Sequence, residues 1–198
     1  MSKSDQIYKY IFSKIQHIRT ISDTGTGREI MANLRHGIGK KPGEIPELWG
    51  MIFEGIPAEL TGYREASNAE WAVYTALTLY ALHQQGNDAK ENDTCMNKND
   101  ISVGRAAARL VNDKEDIKRI LNRLNLVVTS VSPEDLAYHL RGLVQLLKSK
   151  KIALDYARLA KELYQFYHQE YSEEIKLSWG RDFYGELYKL NEKENNNE

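Results

Sequence analysis

A single cysteine (Cys95), four prolines and no apolar run long enough to cross a bilayer set the first limits on this chain. One cysteine excludes an internal disulfide and any cysteine-rich zinc site, and it fits a reducing cytosol. Without about 20 consecutive apolar residues there is no candidate membrane span. The opening MSKSDQIYKY lacks the apolar stretch of a signal peptide. A soluble cytoplasmic protein without a membrane partner is therefore expected.

Catalytic signatures are missing too. His17, His36, His83, His139 and His168 are scattered, with no HExxH, HxH or Cys/His spacing. Glu173 and Glu174 are sequence neighbours and point in different directions on a helix, so they suit dipole pairing better than a metal. Neither GxSxG nor a Walker loop occurs. GTGRE at 25–29 has neither the preceding strand nor the following Lys-Ser/Thr of a phosphate loop. No catalytic residue, metal site or cofactor is expected, and a hydrolase is disfavoured.

What is present points to helices. Proline is scarce while Ala, Leu, Lys, Glu and Tyr are plentiful. Ile7, Ile11, Ile15 and Ile18 mark a first helix from Ser4 to about Arg19. The DTGTG turn precedes a second, Arg28 to His36, ended by Gly37. Leu48 to Phe53 reads as a short helix, and Ala69 to Gln85 as a strongly apolar one stopped by Gly86. Residues 87–100 have almost no apolar content and suit a linker or mobile loop. Beyond them Ser102 and Asp113 open helices, and Ser132-Pro133-Glu134-Asp135 is an N-cap with proline and acids in the first turn. Two further helices run from about Asp155 to Gln169 and from about Ser172 to Leu190. The expected fold is all-α: a small N-terminal helical lobe (1–86), the polar segment (87–100), a four- to five-helix bundle (101–190) and a disordered tail (191–198).

The formal net charge of −1 conceals segregation. Residues 1–41 carry 8 Lys and Arg against 3 Asp and Glu, or +5, and residues 98–161 carry 13 against 7, or +6. The intervening 42–97 carry 2 against 9, or −7, and 162–198 carry 4 against 9, or −5. Within the basic blocks the cations recur at helical spacing: Arg28 and Arg35, Arg105 and Arg109, Arg119 and Arg123, Arg141 and Lys148. The apolar residues around each pair mark a different face. Lys40 and Lys41 extend the first pair into a glycine-rich loop, and Lys118 adjoins the third. Guanidinium groups match phosphate oxygens, so this pattern suits a nucleic-acid backbone bound without sequence reading. The competing reading pairs these cations with Glu29, Asp113, Glu115 and Asp116 as ordinary helix surface. Tyr156, Tyr164, Phe166, Tyr167, Tyr171, Trp179, Phe183 and Tyr184 read as core and rim of the last two helices more than as a stacking surface, because they sit in the acidic last quarter.

Laid out in order, GREIMANLRHG (27–37), LTLYALHQQG (77–86), ISVGRAAARL (101–110), IKRILNRL (117–124), LAYHLRGLVQLLKSKKIALDYARLAKEL (136–163) and WGRDFY (179–184) resemble the CasB family, the small subunit of the type I-E CRISPR complex Cascade. His36 stands where the family has a second arginine, Lys118-Arg119-Ile120 replaces Arg-Arg-Phe, and Gly142 follows Arg141 where another arginine is frequent. The resemblance implies a non-catalytic helical subunit that contacts the guide RNA assembly and helps hold opened target DNA, including the displaced strand. It also implies two copies packed together among the other Cascade subunits. Its nucleic-acid face maps onto Arg28, Arg35, Arg105, Arg109, Lys118, Arg119, Arg123 and Arg141. The alternatives are a helical protein–protein adaptor and a regulator that binds duplex DNA.

Overall fold

The computed structural model describes residues 1–195, and the last three positions of the expected tail, 196–198, lie outside the described residues. Among the described residues there are nine α-helices and no strand, so the chain is an all-α bundle. None of these helices is long and apolar enough to cross a membrane.

Helix α1 (Lys3–Ile21) is capped by Ser2, whose hydroxyl accepts from the Asp5 N–H, and it buries Ile7, Ile11, Ile15 and Ile18. That stripe faces α8 (Tyr156–Phe166). Helix α2 (Gly25–His36) starts three residues earlier than its apolar pattern suggests, because Thr24 supplies the cap by accepting from the Gly27 N–H. A 3₁₀ turn, Pro46–Leu48, leads into α3 (Trp49–Phe53). Helix α4 (Asn68–Gln84) carries a reciprocal capping box between Ser67 and Glu70. It is buried on nearly every side, with only Asn68 and Leu82 partly exposed. Helices α1, α2, α3, α7 (Pro133–Ser149) and α8 surround it. A helix apolar all round belongs at the centre of a domain, not on one face of it.

The second half adds α5 (Val103–Ala108), α6 (Lys114–Val128) and α9 (Gln169–Asn195), with α6 lying on α7. Ser102, Asp113, Ser132 and Asp155 cap their helices by accepting backbone N–H bonds. Helix α9 continues through Asn195, beyond Leu190. Helix α5 crosses α9 at Gly104, where a Cβ would stand 2.1 Å from the carbonyl oxygen of Trp179. One continuous apolar cluster runs from Ile7 in α1 to Phe183 in α9. Within residues 87–100, Ala89, Cys95 and Met96 are buried. The Leu154 N–H donates to the Met96 carbonyl at 3.0 Å, and the Met96 N–H donates to Oε1 of Gln84 at 2.8 Å.

His83, at the C-terminal end of α4, is fully buried, with Nδ1 2.9 Å from the Tyr156 hydroxyl. Burial first, and the charge of Lys148 second, push the imidazole down to about 4. The unfolded chain therefore takes up this proton first as pH falls. Stability from His83 is fully present above about pH 6.5 and is lost as pH drops toward 4, up to about 3 kcal/mol. We expect the urea midpoint to fall between about pH 7 and about pH 4.5, and to fall less in H83Q. Equal pH dependence in the two proteins would assign the effect elsewhere.

Candidate nucleic-acid interface

The cations are presented by the outer faces of α2, α7 and α6. In α7 the stripe Leu136, Leu140, Leu143, Val144 and Leu147 turns inward, which leaves Tyr138, Arg141, Gln145 and Lys148 on the other side. In α2, Gly27, Met31 and Leu34 turn inward, leaving Arg28 and Arg35 outside. Arg28 and Arg35 line a cleft of about 470 Å³ against Gln84, Gln85 and residues 86–89. Nη1 of Arg28 donates to the Asp23 carbonyl at 2.9 Å. Lys148 joins this end, because Nζ donates to Oε1 of Gln85 at 2.9 Å. Partial burial, together with the positive charge of Arg35, holds the Lys148 ammonium below its usual range. Like charges held together in this way favour a polyanion that would relieve them.

Seven residues toward the N-terminus of α7, Arg141 shares a second cleft with Lys40, Ile38, Trp71, Glu134 and Tyr138. It also shares a third, of about 470 Å³, with Arg123, Tyr138 and His139. Arg123 lies beside Gly142, whose missing Cβ would stand 3.8 Å from Nη1. The first cleft thus holds Arg28 and Arg35, the second Lys40 and Arg141, and the third Arg123 and Arg141. Lys118 and Arg119 continue along α6. Lys118 is exposed, and Arg119 is tied to Asp116 one turn earlier. Lys40 pairs with Glu44 at 3.0 Å and Lys41 with Glu134 at 3.6 Å. Among the described residues, Arg28, Arg35, Lys118, Arg123, Arg141 and Lys148 make no ion pair with a carboxylate.

Arg105 and Arg109 are placed differently, where α5 meets α9. Nε of Arg105 is 3.3 Å from Oδ1 of Asp182, and Nη1 donates to the Asp100 carbonyl at 3.0 Å. Nε of Arg109 donates to Oε1 of Glu186 at 2.7 Å, and Nη2 is 2.6 Å from the same oxygen. Beside them Arg158 bridges Glu162 at 2.6 Å and Asp182 at 2.8 Å, while Nε1 of Trp179 donates to Oε2 of Glu162 at 2.7 Å. Burial raises the Glu162 carboxyl and Arg158 opposes that rise. We expect R109A to leave the chain folded but to lower its stability by about 1 kcal/mol, read as a small fall in thermal midpoint. A midpoint equal to that of the unmodified chain would remove the α5–α9 ion pair as a stabilising contact.

Tyr138 did not figure among the candidates from sequence. It is 71% exposed and lies between the two clefts that share Arg141. The signal was its place three residues before Arg141, off the leucine stripe. Of the aromatic cluster, Tyr156, Trp179 and Phe183 are buried core, while Tyr171 and Tyr184 face solvent. Among the described residues no group of three or more His, Cys, Asp or Glu is placed to hold a metal.

No curated protein matches the sequence. CasB from Thermobifida fusca has a similar structure, with TM-score 0.76 and 29% identity over 90% of this chain and 97% of that one. CasB from Thermus thermophilus is similar in fold at TM-score 0.66 and 18% identity, over 93% of this chain and 99% of its own. A chain of a CRISPR RNA-guided surveillance complex is similar in fold at TM-score 0.74 and 19% identity, over 94% of this chain and 98% of that one. The model of the CRISPR-associated protein Cse2 family matches residues 30–184, a stretch that holds every helix from α3 to α8 and most of α2, and so this chain belongs to the Cse2 family.

Proposed function

We propose that the chain is a non-catalytic subunit of an RNA-guided CRISPR surveillance complex in the cytoplasm. There it holds the sugar–phosphate backbone of guide RNA and of opened target DNA, including the displaced strand, without reading sequence. The observation that carries this reading is the set of guanidinium groups without carboxylate partners on α2, α7 and α6. Each such group offers planar donors to phosphate at little cost, because no internal ion pair has to break first. Exchange of a DNA duplex for an RNA–DNA duplex is nearly balanced, so a few backbone contacts to the open state tip it.

Assembly with other subunits and with a second copy of the chain is part of the proposal. Leu177, Tyr184 and Tyr188 stand exposed at 53%, 56% and 65% on one stripe of α9. An apolar stripe of that kind suits a protein contact.

The test is fluorescence anisotropy of a labelled single strand at 50 and 200 mM salt. Four phosphate contacts predict that log K falls linearly with log salt, and that affinity drops about 50-fold across this range. Binding unmoved by salt would remove the backbone-contact reading. Preference for one duplex sequence would favour a duplex-DNA regulator instead.

A further inference from the structure

Trp71 and Tyr74, which share a cleft with Arg141, are buried, whereas Tyr138 in the same cleft stands out into solvent. Its ring is 71% exposed. Arg141 lies one turn along the same helix, and the ring lines a cleft on either side of itself, one shared with Lys40 and Arg141 and one with Arg123 and Arg141. His139 meets the ring edge-on, with centroids 5.3 Å apart and planes at 75°. The imidazole is itself engaged by Asp135 at 3.2 Å. An exposed tyrosine ring flanked on both sides by cations has the form of a stacking platform set between phosphate sites.

Duplex DNA has no use for such a platform, because its bases are already stacked on one another. Only an unpaired base can lie flat on a side chain. The cleft on the Lys40 side is floored by Trp71, Thr75 and Leu79 and holds about 70 Å³. That is about half the size of a cavity that admits benzene, so a nucleobase does not enter it. A base would lie instead across the mouth, against Tyr138, with Arg141 and Arg123 in reach of its neighbouring phosphates. Glu134 also borders this mouth, and its carboxylate is engaged by Lys41 at 3.6 Å.

We propose that Tyr138 stacks on an unpaired nucleobase and thereby makes this face selective for single-stranded over double-stranded nucleic acid. This rests on the backbone-binding reading above and adds to it the strandedness of the ligand. The test compares the whole chain with Y138A and Y138F against three labelled probes: oligodeoxythymidine, a duplex of equal length, and an abasic strand that keeps the phosphates but lacks bases. Y138A should lose at least about fivefold in affinity for oligodeoxythymidine, and little for the duplex or the abasic strand. Y138F should retain the affinity, and the salt slope should be the same in all three proteins because no charge changes. Circular dichroism of Y138A should match the unmodified chain, since the side chain is on the surface. Salt-dependent binding with Y138A equal to the unmodified chain on oligodeoxythymidine would overturn the stacking inference and leave the backbone reading standing. No binding of any probe by the unmodified chain would overturn the backbone reading itself, and the stacking inference with it.

Discussion

Reversing Arg35 and Arg141 together to glutamate is expected to lower single-strand affinity by about a hundredfold at near-physiological salt. The two residues lie on different helices and line different clefts, so the pair removes contacts at two points on the same face. Each reversal takes away a phosphate contact and adds a charge that repels the strand. The slope of log K against log salt should become shallower by about 1.4, the value for two lost contacts to a single strand. Both side chains are at least partly exposed, and neither makes an ion pair among the described residues, so helix content and thermal midpoint should hold. Anisotropy and circular dichroism on the same samples separate the outcomes. Unchanged affinity in the double variant would place the nucleic-acid surface elsewhere. The matching reversal of Arg105 and Arg109 should act mainly on stability, because it sets glutamates against Asp182 and Glu186.

The second large effect is expected in the core, at Gly104. A methyl group there would stand 2.1 Å from the Trp179 carbonyl oxygen and 3.0 Å from the Phe183 nitrogen, both backbone atoms of α9. Backbone cannot rotate away as a side-chain tip can, so α5 and α9 must separate. Trp179 and Phe183 are 1% and 0% exposed, and both would lose part of their packing. We expect G104A to cost about 3 kcal/mol, which for a chain of this length lowers the thermal midpoint by about 10 °C. The glycine's conformational freedom is not the issue, since position 104 lies in regular helix; the missing Cβ is. A midpoint within about one degree of the unmodified chain would show that α9 moves aside at little cost.

Much of the helical framework was legible because its signals are local. Ser102, Asp113, Asp155 and Ser132-Pro133 announce helix starts within three residues of themselves, and each cap forms as its side chain dictates. Isoleucines at 7, 11, 15 and 18 can share only one face. The central position of α4 was less plain. Its run AVYTALTLYAL is apolar on every side, yet threonines and tyrosines within it suggest an edge that the structure does not have. The partners of Arg105 and Arg109 were out of reach for another reason. Asp182 and Glu186 lie 77 residues further along the chain in each case, and only the α5–α9 crossing brings them near. The acids considered from sequence were close neighbours, and among those Asp116 does hold Arg119. Tyr138 stands apart from the dense aromatics of the last two helices, several of which are core, and its one mark in the sequence is its place near Arg141.

Because α4 is walled in by five other helices, most of its amide protons meet solvent only when the whole molecule opens. Deuterium uptake along that helix is thus an internal gauge of global unfolding free energy. Uptake in the exposed 39–41 loop reports local fluctuation. A strand seated between α2 and α7 would slow the second signal immediately, and would move the first only by the free energy of its own binding.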